Sequence, residues 1–242
     1  MKSALHVFFL GAIAFSLTLA AQAQTTITQW TFQTGFTATS PEPSTGTGTA
    51  GVFGSMTGET NATGSATGCA QQSGTNAWQI GTANPGSTNE SSGVQFLVST
   101  VGFKNIIFAY DHRFSNTATR TVRIQYTLDG GVNWNNLDVS SSNYSNDCTG
   151  RGGIDNGRID VSSPVGNNTG DSWSRRTINF KAITGANNNP NFGIRIAAAH
   201  YSNTGEFRQA NNAAAVATAG TWRLDNVTFT GTPLPSICIT EY

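Results

Sequence analysis

Side chains able to move protons are few in this sequence. Of its three histidines, His6 falls in an apolar leader, which leaves His112 and His200. Neither has a Ser or Cys nucleophile elbow beside it. Asp111-His112-Arg113 is the most polar stretch inside a predicted strand. Alternation puts Asp111 and Arg113 on one face and His112 with Tyr110 on the other, a pattern that reads as a surface ion pair or a polar cluster at the core edge rather than a catalytic group. The glutamates lie at 42, 59, 90, 206 and 241. None falls in a clean strand facing a groove, where the paired carboxylates of a glycoside hydrolase are expected. There is no Walker loop and no HExxH motif.

Other residues point to structure or to binding. Asp129-Gly130-Gly131 reads as a hairpin turn, because Asp accepts from nearby backbone N–H groups and glycine supplies positive φ. Trp134 is then free to fold back on the hairpin. In Trp222-Arg223-Leu224-Asp225-Asn226-Val227-Thr228-Phe229, Trp222 and Leu224 share one parity while Val227 and Phe229 share the other. That phase shift requires a bulge or local twist at Asp225-Asn226. Tyr144 and Tyr201 lie beside polar runs, 140–146 and 200–203, that offer flat rings and neutral donors to a sugar; the alternative is that both cap their own loops. Cys69, Cys148 and Cys238 have no metal-ligand or redox-pair spacing. In an exported chain Cys69 and Cys148 are expected to pair, each tethering a long polar loop, with free buried thiols as the alternative. Cys238 is assigned to a following module.

The elements that must position these residues are strands. Residues 1–23 read as a secretory signal peptide, with Lys2, an apolar stretch from Leu5 to Ala20, and the cleavage site Ala21-Gln22-Ala23. Without Lys2 the chain carries 12 basic against 13 acidic side chains, which excludes a dedicated nucleic-acid binder. No later apolar run approaches the ~20 residues of a membrane span, so no membrane association is expected after cleavage. Charged residues are 11% of the chain, against about 25% in an average domain. Thr, Ser and Asn take their place and leave an uncharged, hydrogen-bonding surface. Period-two alternation recurs, most cleanly in 120–128, where Val122, Ile124, Tyr126 and Leu128 point one way and Thr121, Arg123, Gln125 and Thr127 the other. Further strands are expected at 26–33, 77–80, 93–101, 105–114, 136–139, 157–161, 177–183, 191–199 and 221–230. The fold class is therefore all-β, an antiparallel two-sheet β-sandwich over residues 24–231 with little or no helix; a closed barrel is the runner-up. Thr37–Gly68 is expected as an ordered, Gly-dense excursion over the sandwich, 209–219 as a loop, and 232–235 as a Pro linker.

Three resemblances carry these readings further. Thr127 to Trp134 fits the S/T-x-D-x-G-x-x-W/F Asp box of sialidases and other β-propellers. A sialidase needs several boxes and an arginine cluster, so the single box here implies a structural turn built on Asp129, Gly131 and Trp134. Trp222 to Phe229 resembles the closing strand of jelly-roll carbohydrate-binding modules, which implies a jelly-roll-like sandwich and, at Asp225, either a structural calcium ligand or a carboxylate bonding the bulge amides. Ile237 to Tyr242 resembles the first strand of a lamin-tail domain, which implies that residues 236–242 open a further module and that the chain continues. Together they imply a secreted or cell-surface, non-catalytic module of a multi-domain bacterial protein. It would bind neutral polysaccharide or act as a spacer, with any catalytic domain beyond residue 242. The alternative is a jelly-roll glycosidase or polysaccharide lyase.

Overall fold

The computed structural model describes residues 23–33, 37–57, 59–65, 72–81, 88–146, 152–161, 172–202, 204–210, 214–216 and 220–235. The leader up to Gln22, both cysteines expected to pair, and segment 236–242 lie outside the described residues. Numbered in chain order, fourteen strands and one turn of 3₁₀ helix (Thr184–Ala186) form among the described residues, with no α-helix. No helix among them is long and apolar enough to cross a membrane.

The strands make two sheets, and every pairing is antiparallel. The first sheet runs β3 (Glu59–Ser65), β4 (Gln72–Ile80), β14 (Trp222–Pro233), β6 (Phe103–Phe114), β12 (Trp173–Asn179), β9 (Tyr144–Asn146), with β1 (Thr25–Trp30) also on β14. The second runs β10 (Gly153–Asp155), β11 (Arg158–Asp160), β7 (Thr121–Thr127), β13 (Phe192–Ala198), β5 (Gly93–Val98), β2 (Gly48–Phe53), with β8 (Asn135–Leu137) also on β7. Alternation turns Ile106, Phe108 and Tyr110 of the first sheet toward Val94, Phe96 and Val98 of the second, and all are buried. Aromatic rings join the two layers: Trp30 meets Phe96 edge-on at 5.2 Å, Phe96 lies 6.2 Å from Phe108, and Phe192 meets Phe229 edge-on at 6.4 Å. Each such pair adds about 0.5–1.5 kcal/mol beyond its buried area.

The phase shift in β14 is a bulge, as its parity requires. Asp225 pairs with Asp111 and Thr228 with Ala109, so the register skips between them, and Asn226 takes φ 48°. The bulge lies where the partner of that edge of β14 changes from β4 to β1. The Asp225 carboxylate holds it by accepting the N–H of Asn226 at 2.7 Å and of Ser65 at 2.8 Å.

Two expectations need correcting. Thr37–Gly68 is not an excursion over the sandwich, because it supplies β2 to the edge of one sheet and β3 to the edge of the other. Gly and Thr on both faces of these strands hid the alternation. The stretch 232–235 is not wholly a linker. Thr232 and Pro233 pair with Lys104 and Phe103, and the Leu234 N–H donates to the Gly102 carbonyl at 2.7 Å. Proline is tolerated at that strand end because few ladder bonds remain to be made. Of the described residues in 209–219, Gln209 and Ala215 form isolated bridges and none is helical, in line with the loop expected there.

His112 tests the core. It is fully buried among Phe114 (ring centres 3.8 Å apart), Trp222 (5.2 Å) and Tyr110 (5.7 Å). Neither of its ring nitrogens has a partner among the described residues. Burial, helped by the Arg176 charge, holds its pKa well below the ordinary value. A depressed histidine pKa adds stability that is complete above the unfolded value, about 6.5, and is lost as pH falls below it. Asp225 works in the opposite direction, since burial foremost and then Asp111 push its pKa up to about 7, but that effect is common to a variant and its parent. His112→Phe is therefore expected to melt no lower than the parent at pH 8, with a lead that widens steadily from pH 6.5 to pH 5. A constant lead across that range would show that His112 does not titrate with folding.

Candidate functional site

The outer face of the second sheet holds the most organised exposed chemistry of the described residues. Strand β13 is buried along its length except at Arg195. Register places Arg195 beside Gln95 of β5 on one side and Gln125 of β7 on the other, and extends the row to Gly51 of β2 and Asn136 of β8. Arg195 donates from Nε (3.0 Å) and NH2 (2.9 Å) to the single oxygen Oε1 of Gln95. The Gln125 amide donates to Asn136 Oδ1 at 2.9 Å, and Asn136 donates in turn to Glu90 Oε2 at 3.1 Å.

Two aromatic rings flank that row. The Arg195 guanidinium carbon lies 4.1 Å from the ring centre of Phe53 and 4.0 Å from that of Trp134. Phe53 ends β2 and Trp134 precedes β8, strands on opposite sides of β13, so the rings approach from opposite sides and cation–π attraction holds the stack. Gly93 separates Phe53 from Ala197 in the register and carries no side chain, so the Phe53 ring has room to lean onto Arg195. Beyond it, Glu90 accepts from Arg123 Nε at 3.3 Å and from Arg158 Nε at 3.1 Å. Glu90 takes φ 61°, and its N–H donates to the Ala198 carbonyl. This is an uncommon conformation for a non-glycine residue, held by anchors at both ends. The result is a flat strip of amide, guanidinium and aromatic surface.

Of the residues picked out by sequence, Trp134 stands on this face, while Tyr144 and Tyr201 lie elsewhere and Asp111 and Asp225 meet each other on the first sheet. Tyr144 pairs with Ile178, an inward position of the first sheet, packs against the core and accepts a hydrogen bond from Arg176 NH1 at 3.0 Å. Tyr201 belongs to the second sheet's end, where the Arg120 guanidinium covers its ring at 4.7 Å and itself grips Asp160 with two hydrogen bonds. Both tyrosines are thus engaged by arginines. Asp111 and Asp225 are only 0% and 1% exposed, and Asp111 accepts from Arg175 and Asn226, which makes the polar cluster at the core edge. A calcium ion takes about six to eight oxygens. Each Asp225 oxygen already accepts an amide hydrogen, and among the described residues no three Asp, Glu, His or Cys side chains converge. The bonds present are those of a carboxylate bonding bulge amides. Ser202 donates to Asp155 through both N–H and Oγ, while the His200 ring stacks edge-on against Phe207 at 4.4 Å.

Sequence reasoning missed Phe53, Glu90 and Arg195. Arg195 did leave a signal, as the lone charge in the apolar run 192–199, where period two puts it on a solvent face. Phe53 and Glu90 left none, since each depends on a long-range neighbour.

Trp134 owes its position to the Asp129 hairpin. Gly130 and Gly131 take φ 74° and 96°, as the turn demands. Asp129 Oδ1 accepts from Thr127 Oγ1 (2.7 Å) and the Asn133 N–H (2.9 Å), and Oδ2 from Asn133 Nδ2 (2.7 Å). The Trp134 indole then donates back to the Gly131 carbonyl at 3.0 Å. These donors, Asn133 foremost, draw the Asp129 pKa down to about 2. A depressed carboxylate adds stability above its unfolded pKa and loses it as pH falls toward the folded value. Asp129→Ala is expected to melt below the parent at pH 7, with the gap closing between pH 4 and pH 2.5. An unchanged melting temperature at pH 7 would mean that the hairpin does not need the carboxylate.

Neither a scan against protein-family models nor a search of curated proteins gives a match. Among solved structures the chain is similar to the CBM22-1 xylan-binding domain of Paenibacillus barcinonensis Xyn10C, at 9% identity and a TM-score of 0.45 over 89% of this chain and 100% of that one. It is also similar to the CBM22-1-GH10 modules of a Clostridium thermocellum N-terminal endo-1,4-β-D-xylanase 10B complexed with xylohexaose, at 13% identity and a TM-score of 0.43. That match covers 90% of this chain and 30% of the xylanase chain, so this chain spans under a third of it.

Proposed function

We propose that this domain is a non-catalytic extracellular module that binds polysaccharide on the outer face of its second sheet. One observation carries the reading: two aromatic rings held in place on an otherwise amide-rich open face. Sugar rings present apolar C–H patches and equatorial hydroxyls. The first suits an aromatic face and the second suits side-chain amides, which both donate and accept. Gln95, Gln125 and Asn136 are held by neighbouring side chains, so little rotamer freedom remains to be lost on binding. An open strip suits a long chain polymer better than a small solute, which would call for an enclosed pocket. The leader expected at 1–23 would deliver the domain to where such polymers occur.

Affinity electrophoresis through gels cast with a panel of soluble polysaccharides tests this. At least one polymer is expected to retard the domain. Trp134→Ala and Phe53→Ala are each expected to cut the retardation about tenfold or more, the scale of losing one central aromatic contact. Tyr144→Phe and Tyr201→Phe should migrate like the parent. No retardation on any polymer, or retardation that survives both ring deletions, would overturn the assignment.

A further inference from the structure

The glycan this face takes is narrowed by the charge at its centre, an inference that rests on the binding reading above. Arg120, Arg123, Arg158, Arg175 and Arg208 each face a carboxylate. Arg195 faces none among the described residues. Among the described residues its one hydrogen-bond partner is the neutral Gln95, and the rings of Phe53 and Trp134 lie against it. The geometry of that bond matters. A guanidinium offers five N–H donors in a rigid fork. Gln95 occupies the side edge, made by Nε and NH2. The two rings cover the planar faces. What remains is the end edge, where one N–H of NH1 and one of NH2 lie parallel and have no partner among the described residues. This is the edge that meets a carboxylate with two parallel hydrogen bonds.

The surroundings keep the charge from being neutralised locally. Glu90 is engaged by Arg123 and Arg158, and Asp138 by Arg123 at 2.6 Å. Asp129 turns its oxygens onto Thr127 and Asn133 within its own hairpin. A guanidinium is more weakly hydrated than an ammonium and its fork matches a carboxylate, which favours a bidentate acceptor.

We propose that Arg195 receives the carboxylate of a uronic acid unit, so that the ligand is an acidic polysaccharide rather than the neutral one that composition suggests. Phe53 and Trp134 then flank the sugar that bears the carboxylate, and Gln125 and Asn136 meet hydroxyls further along the chain.

The test uses polygalacturonate, alginate and glucuronoxylan, each alongside the same polymer with its carboxyl groups reduced to alcohols. At least one acidic form is expected to bind about tenfold or more tightly than its reduced partner, the scale of one bidentate charged contact. Arg195→Met should remove that preference. Arg195→Lys, which keeps the charge and loses the fork, should recover at most a small part of it. Melting curves confirm that both variants fold. Equal binding to acidic and reduced forms would overturn the uronate assignment and leave glycan binding intact. Full preference in Arg195→Lys would overturn fork recognition, since unshaped charge would then suffice. Absence of binding to every polymer, acidic or reduced, would instead remove the glycan reading on which the proposal stands.

Discussion

The register of β13 is the constraint on which the second sheet depends. This strand is paired on both sides, with Gly193–Ala197 bonded to β5 and β7 at once. Its even-numbered residues, Phe192, Ile194, Ile196 and Ala198, are buried in the core. A one-residue slip would reverse every side chain, sending Arg195 among the aromatic rings and leaving the isoleucines in water. The cost of burying an unpaired guanidinium there is several kcal/mol or more, so the core itself locks Arg195 outward. From that position Gln95, Gln125 and Asn136 follow by pairing, and the two flanking rings follow by stacking.

The first sheet uses its outer face differently. Trp173, Arg113, Asp111 and Asp225 stand on that side by alternation, yet all are buried. Its carboxylates are spent on Arg175, Asn226 and the amides of the bulge. Groups that could have been chemical in the sequence are thus structural in the fold. They secure the point at which β14 changes partner from β4 to β1. The open face belongs to the sheet whose polar side chains are bonded to each other laterally rather than covered from above.

Much of this was legible where local pattern and tertiary environment agree. Strand β7 showed its two faces because Val122, Ile124 and Tyr126 alternate with Thr121, Arg123 and Gln125. The bulge at Asp225-Asn226 followed from a parity change within eight residues, and the Asp129 turn from the positive φ that its glycines supply. The rest turned on contacts that no local window contains. Tyr144 lies on a strand of three residues, too short for alternation to reveal that its ring turns inward. Strand β2 is Gly48–Phe53, with small residues on both faces, so its edge position was hidden and Phe53 with it. Glu90 acquires its role only because Arg123, Arg158 and Asn136 arrive from 33, 68 and 46 residues away.

The central claim is that ligand meets the second sheet's outer face, and the indole N–H signals of the protein report on it directly. The chain has five tryptophans. Trp134 flanks Arg195 on that face, while Trp30, Trp78, Trp173 and Trp222 are buried. Titration with a mixed pool of neutral and acidic oligosaccharides, followed by ¹H–¹⁵N spectra, is expected to shift the Trp134 indole together with the side-chain amides of Gln95, Gln125 and Asn136, and to leave the other four indoles in place. Shifts confined to Trp173 or to the amides around Tyr144, with Trp134 unmoved, would contradict it.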